Sequence, residues 1–330
     1  MLDRSNVCAI AVMAKAPRPG HVKTRLQTVL QPDEAARLSA AFLRDVTENL
    51  AEAALLAPID PFVAYAPAGQ EARFDGLLAP GTGLVLADGA DGDAPEVEGF
   101  GRCLLHATRA LLAQGYGAAC VLNADGPTLP TRLLVQAAQR LLASGPRAVL
   151  GPADDGGYWL LGMQAPHAGL YARITWSTDA VAAQTQARAA ALGHDLELLD
   201  SWYDVDDRAA LQRLAAELST PGPHYRAPAT ARCVAELGLR ARLGVAMSDA
   251  RDGRAFSSPR WAAASCCWWR PGGPSPRRAS SARCRWSRPG ATSPAPAWPG
   301  RCIPARSCWR GGRCGMGWSS CWWPPRRCAR

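Results

Sequence analysis

Only two lysines occur in the chain, Lys15 and Lys23, against 35 arginines, and both lie in Ala14-Lys15-Ala16-Pro17-Arg18-Pro19-Gly20-His21-Val22-Lys23-Thr24-Arg25-Leu26. A compact ammonium where a forked guanidinium is otherwise the rule points to a place where shape counts, such as beside a phosphate oxygen. The loop is stiffened by Pro17 and Pro19 and loosened at Gly20. It suits a polyphosphate, with Lys15, Arg18, Gly20, Lys23, Thr24 and Arg25 as candidate contacts. Its spacing is neither that of a Walker loop nor G-x-G-x-x-G, and a solvated basic loop would have the same composition. Cations of this kind should be removable singly, with loss of nucleotide affinity and little loss of stability.

The acidic candidates lie far away in sequence. Asp125 follows an apolar run in Asn123-Ala124-Asp125-Gly126-Pro127, where Gly126 and Pro127 end the strand and turn the carboxylate outward. In Trp202-Tyr203-Asp204-Val205-Asp206-Asp207, Asp204 and Asp206 share one side of an extended segment because side chains alternate. Mg²⁺ needs only one or two carboxylates plus substrate phosphates, so Asp125, Asp204 and Asp206 are candidate ligands of Mg²⁺ or Mn²⁺. Asp206 or Asp207 could equally cap the helix that starts at Arg208.

A third group is Asp154-Asp155-Gly156-Gly157-Tyr158-Trp159. It could be a hairpin turn. Paired carboxylates, two glycines that admit a ligand close to the backbone and following aromatics could also hold a sugar or acceptor. Asp154 and Asp155 are the catalytic candidates, with Gly156, Gly157, Tyr158 and Trp176 on the acceptor side. Ser177 or Thr178 would cap a helix. The five histidines form no cluster, and no nucleophile with an adjacent base stands out.

These residues need a scaffold that gathers loops at one edge. Over residues 1–217 short apolar runs alternate with amphipathic stretches, the pattern of a mostly parallel sheet flanked by helices. Cys8–Met13 and Ala118–Leu122 read as buried central strands, and Pro61–Tyr65, Leu84–Leu86, Ala148–Leu150, Tyr158–Leu161 and Leu196–Leu199 as further strands. Helices are expected over Asp33–Leu56, Phe100–Leu112, Leu133–Leu142, Thr178–Leu192 and Arg208–Leu218. The basic loop directly follows the first strand, where open α/β sheets bind ligands.

The formal net charge of +9 describes no single part of the chain. Residues 1–250 carry 21 basic and 27 acidic side chains, a net of −6, and residues 251–330 carry 16 Arg and one acid, a net of +15. The acidic body gives no reason to expect a specific nucleic-acid partner. Its four scattered cysteines fit reduced thiols in a cytoplasmic protein, and neither a signal peptide nor a membrane-spanning run is visible. The final 80 residues hold 8 of 12 Cys and 9 of 12 Trp without periodicity or paired metal spacing. They read as an out-of-frame translation of GC-rich DNA or as an Arg/Trp-rich arm. The organisation expected is one domain over 5–217, a linker over 218–250 and an unstructured tail over 251–330, whose removal should leave the body unchanged.

In this order, Met13–Leu26, Asp125-Gly126-Pro127-Thr128-Leu129-Pro130, Leu150–Gly162, Trp176-Ser177-Thr178 and Asp204-Val205-Asp206 resemble the bacterial arsenosugar-biosynthesis-type glycosyltransferases, also described as radical-SAM/selenodomain-associated transferases. That family is similar to nucleotide-diphospho-sugar transferases and to nucleotidyltransferases with a Lys-Thr-Arg-Leu-like loop. The resemblance implies a three-layer α/β/α sandwich of glycosyltransferase-A type. It also implies nucleotide-phosphate contacts at Lys15, Arg18, Lys23 and Arg25, and metal contacts at Asp125, Asp204 and Asp206. Where the family has a Gly-Asp-Leu-Gly-x-Arg-Met-like segment, this chain has Glu98-Gly99-Phe100-Gly101-Arg102-Cys103-Leu104, without the acid. The expected activity is metal-dependent transfer of a sugar from a nucleotide diphosphate sugar to a small acceptor. The alternatives are nucleotidyl transfer from a nucleoside triphosphate with release of pyrophosphate, and a non-catalytic nucleotide-binding protein.

Overall fold

A computed structural model describes residues 3–90, 94–145 and 147–245 of the chain. The tail over 251–330 lies outside these residues. Among the described residues seven strands form one sheet: β1 (Arg4–Ala14), β2 (Ile59–Tyr65), β3 (Gly83–Leu86), β4 (Tyr116–Asn123), β5 (Ala148–Pro152), β6 (Tyr158–Met163) and β7 (Leu196–Leu198). Their order is β3-β2-β1-β4-β6-β5-β7. All neighbours are parallel except β6, which runs antiparallel to both β4 and β5. The mostly parallel α/β/α architecture expected from the sequence is the one observed.

Alternation along the central strands sorts side chains to two cores. Cys8, Ile10 and Val12 of β1 with Cys120 and Leu122 of β4 face α1 (Pro32–Ala54) and α3 (Thr131–Leu142). Ala9, Ala11 and Met13 with Ala119 and Val121 face α2 (Phe100–Leu112) and α4 (Val181–Ala191). Strands buried on both faces explain why these runs are continuously apolar. The four cysteines of this body, Cys8, Cys103, Cys120 and Cys233, are buried free thiols. Among the described residues no helix is long and apolar enough to cross a membrane.

A third core corrects the expected linker over 218–250. After α5 (Arg208–Glu217), the chain forms α6 (Pro228–Glu236) and α7 (Leu239–Leu243). Cys233, Val234, Leu239 and Leu243 are buried against Leu26, Leu30, Leu38 and Phe42 from the N-terminal part and Leu211 and Leu214 of α5. Asp45 on α1 is fully buried and accepts bonds from the backbone N–H groups of Ala229 and Thr230, at 2.9 and 2.6 Å, in the first turn of α6. Pro228 opens that helix, a position where its missing N–H costs nothing. The packed body therefore continues to residue 245.

Candidate functional site

Parallel strands end at one edge of the sheet, and the basic loop leaves β1 there. Val22 and Leu26 are buried and anchor it. Between them Lys23 takes a left-handed conformation, φ 47°, just before a 3-10 turn over Thr24–Thr28. This turns its side chain inward. The Lys23 ammonium donates to Asp125 Oδ1 at 2.6 Å, to the Val205 carbonyl at 2.8 Å and to Asp206 Oδ1 at 3.3 Å, above the ring of Phe42. Arg25 Nη1 reaches Asp206 Oδ2 at 3.2 Å. Lys23 is 6% exposed, whereas Asp125, Asp206 and Arg25 are 28%, 22% and 36% exposed. With three donors on three protein acceptors, Lys23 is not the dispensable surface cation expected from its loop. Lys15 is half-buried, and Arg18, Gly20 and Thr24 are exposed along the same loop.

Backbone pairing delivers the acids. The segment after β7 follows the edge of β5, with Trp202 N–H donating to the Pro152 carbonyl at 3.2 Å and Asp154 N–H to the Trp202 carbonyl at 2.9 Å. Val205 N–H then donates to the Asp125 carbonyl at 2.9 Å, which sets Asp204 and Asp206 beside the end of β4. Asp207 is the residue that caps α5, its carboxylate accepting from Ala210 N–H at 2.8 Å. Asp206 is thereby left to the site.

The charge here is unbalanced. Burial pushes the Asp125 carboxyl up to about 6, with Asp206 adding to the effect and Lys23 opposing it. Asp204 rises to about 7, first through burial and then through Asp206, Asp155 and Asp125. Burial would raise Asp206 as well, but Lys23 and Arg25 outweigh it and hold that carboxyl below its ordinary range. The same carboxylates overcome the burial of Lys23 and keep its ammonium charged. In the fold Asp204 keeps a proton up to about 7, against 3.8 for a free side chain, so stability falls as pH rises through that window. Asp204→Asn is expected to stabilise the ion-free protein at pH 8 by about 2 kcal/mol after allowance for solvent screening, the gain fading toward pH 4. Melting curves across that range check it, and an equal gain at both ends would place the cause elsewhere.

The Asp154–Gly157 stretch is the turn of the β5–β6 hairpin, as one reading of the sequence has it. Asp155 Oδ1 accepts from Gly157 N–H at 2.8 Å, and the carboxylate is near enough to act on Asp204. Asp154 points elsewhere, to Arg213 of α5 at 2.9 Å. Gly156 has φ +87°, and a Cβ there would lie 2.0 Å from the Asp179 carbonyl oxygen, so the turn is seated directly on the backbone before α4. Trp176 meets Phe100 and Tyr158 edge-on at 5.8 and 6.4 Å. Gly101 makes room for the indole, since a Cβ would come within 2.8 Å of it. The structure thus brings together Lys23, Arg25, Asp125, Asp155, Asp204 and Asp206, and leaves Asp154 aside. The Val205 carbonyl and Phe100 take part although neither residue was singled out as a candidate, while Arg213 only holds Asp154. Phe100 alone had a signal, two glycines flanking an aromatic.

Among the described residues no three or more His, Cys, Asp or Glu side chains are arranged to hold a metal ion by themselves. Two hard carboxylates already gathered around a cation, with two further carboxylates nearby, do fit a divalent ion whose coordination is completed by phosphate oxygens.

Residues 47–178 match a family profile described as an uncharacterized protein conserved in bacteria, DUF2064. No curated protein matches the chain. Among solved structures, a candidate nucleotide-diphospho-sugar transferase from Desulfovibrio desulfuricans is 26% identical, with a TM-score of 0.62 over 74% of this chain and 98% of that one. A nucleotidyl transferase from Methanothermobacter is 19% identical, with a TM-score of 0.41 over 63% and 96% of the two chains. Glucosyl-3-phosphoglycerate synthase from Mycobacterium tuberculosis, in complex with Mn²⁺, UDP and phosphoglyceric acid, is 13% identical, with a TM-score of 0.38 over 73% and 80%. In fold, then, the chain is of the glycosyltransferase-A type found in nucleotide-diphospho-sugar transferases.

Proposed function

We propose that the protein is a nucleotide-utilising transferase that moves a sugar from a nucleotide diphosphate sugar to a small acceptor, in the arsenosugar-biosynthesis-type branch of its superfamily. The observation that carries this reading is the meeting of the basic loop after β1 with Asp125, Asp204 and Asp206 at one edge of the sheet. The 26% identity with the Desulfovibrio protein supports it. Arg25, half-exposed, is the cation best placed to receive a diphosphate, with Lys15 and Arg18 behind it on the loop. Asp125, Asp204 and Asp206 would hold Mg²⁺ or Mn²⁺, which when bound offsets charge on the leaving diphosphate. Asp155 orients the acceptor hydroxyl from the hairpin turn and takes its proton. Gly157 lets the acceptor approach the turn, Tyr158 and Trp176 wall that side, and Gly156 serves instead to seat the turn on the Asp179 backbone.

Arg25→Ala is expected to weaken nucleotide binding by about 1.5–3 kcal/mol through loss of a charge-assisted contact. Arg25 lies at the half-exposed rim of the cluster and Asp206 keeps Lys23 as a partner, so the melting temperature should move little. Titration with a nucleoside diphosphate decides it, and unchanged affinity would remove Arg25 from the site. The reaction itself is tested on the full-length protein with Mg²⁺ or Mn²⁺ and panels of nucleotide sugars and nucleoside triphosphates. Nucleoside diphosphate release supports sugar transfer. Pyrophosphate release would replace it with nucleotidyl transfer, and tight binding without turnover with a nucleotide-binding protein.

A further inference from the structure

The acidic pair already holds a cation. Asp125 Oδ1 and Asp206 Oδ1 both face the Lys23 ammonium, at 2.6 and 3.3 Å, and the third proton goes to the Val205 carbonyl. We propose that Lys23 stands in the place of a divalent ion between Asp125 and Asp206 in the nucleotide-free protein, so that a bare ion is shut out and enters only together with a polyphosphate. The proposal rests on the divalent-ion part of the function proposed above.

The reason is the fate of the displaced charge. A bare ion that took both carboxylates would leave a side chain 6% exposed with a positive charge, next to the incoming cation and with only the Val205 carbonyl as a partner. Removing one partner from a buried pair is among the costliest changes a protein can undergo. An ion that arrives with phosphates brings the replacement partner, because the ammonium can pass from carboxylate to phosphate as the ion takes the carboxylates. The loop is built for a short swing: Gly20 has φ +75° with open space around it, and Lys23 itself sits in the left-handed region. Either residue could return to ordinary backbone angles and carry the ammonium outward.

Equilibrium dialysis with Mn²⁺ alone, and with Mn²⁺ plus inorganic tripolyphosphate, tests this on the wild type and on Lys23→Met. Expected is no Mn²⁺ retained by the wild type on its own, retention when tripolyphosphate is added, and at least ten-fold tighter binding of bare Mn²⁺ by Lys23→Met. Mn²⁺ should also raise the melting temperature of the variant and not that of the wild type. Should the variant fail to fold, the wild type alone decides: retention of bare Mn²⁺ as tight as that seen with tripolyphosphate overturns the proposal. Equal affinity in both proteins does the same. If neither protein retains the ion under any condition, the acidic pair is no ion site and the proposal falls. Nucleotide binding measured through Arg25 would still stand on its own.

Discussion

A chain ending at Thr220 is expected to lose cooperative unfolding, whereas one ending at residue 250 should melt like the full-length protein. The shorter chain lacks Cys233, Val234, Leu239 and Leu243, which are buried against Leu26, Leu38, Phe42 and Leu211. At about 1.5–3 kcal/mol for each large apolar side chain, their loss removes several kcal/mol, a large share of the roughly 5–15 kcal/mol that stabilises a domain. It also removes the Ala229 and Thr230 amides to which the Asp45 carboxylate is bonded. Thermal and urea unfolding of the two chains checks this. A chain of 220 residues with an unchanged, sharp transition would show that α6 and α7 are only laid on the surface.

Lys23→Ala is expected to cost about 3 kcal/mol of stability, an effect far larger than that of Arg25→Ala. The substitution removes the ammonium from between Asp125 and Asp206, strands the Val205 carbonyl and uncovers the ring of Phe42. Breaking one half of such a cluster leaves like charges facing each other with little water to screen them. The sign with pH follows from the carboxylates. As pH falls through about 6, Asp125 takes up a proton and no longer needs a counter-ion, so the gap between variant and wild type should narrow. Urea titrations at pH 8 and pH 5 measure it. A loss that is small, or that grows on acidification, would return Lys23 to the role of a free phosphate contact.

Much of the scaffold is legible in the residue pattern because buried parallel strands and amphipathic helices are strongly periodic. All seven strand segments and the first five helices appear close to where apolar runs and 3.6-residue spacing put them, with α2 over Phe100–Leu112 as expected. The direction of β6 was legible only through the hairpin reading of Asp154–Gly157, since a strand buried on both faces has the same composition whichever way it runs, and nothing in the sequence marked its place between β4 and β5. The helices α6 and α7 escaped for another reason. They are short, Ala- and Arg-rich and set between Pro and Gly, so their apolar residues are recognisable only against α1, on which α6 packs, and α5, on which α7 packs. At the site, residue types pointed to a cationic loop and to aspartates at strand ends. That Lys23 and Asp206 satisfy each other could not be read from positions 183 residues apart.

That separation also orders events during synthesis. The loop after β1 emerges from the ribosome early, yet its lysine waits for Val205 and Asp206. The stretch just beyond the loop is fastened later still, when Arg242 donates to the Val29 carbonyl and to both carboxylate oxygens of Glu34, contacts that span more than 200 residues. Contacts of such long range form late in folding, after the entropy of closing a large loop has been overcome. The loop, among the first segments to be made, is thus among the last to be completed, and a nascent chain stopped before α7 leaves Val29 and Glu34 without their Arg242 contacts.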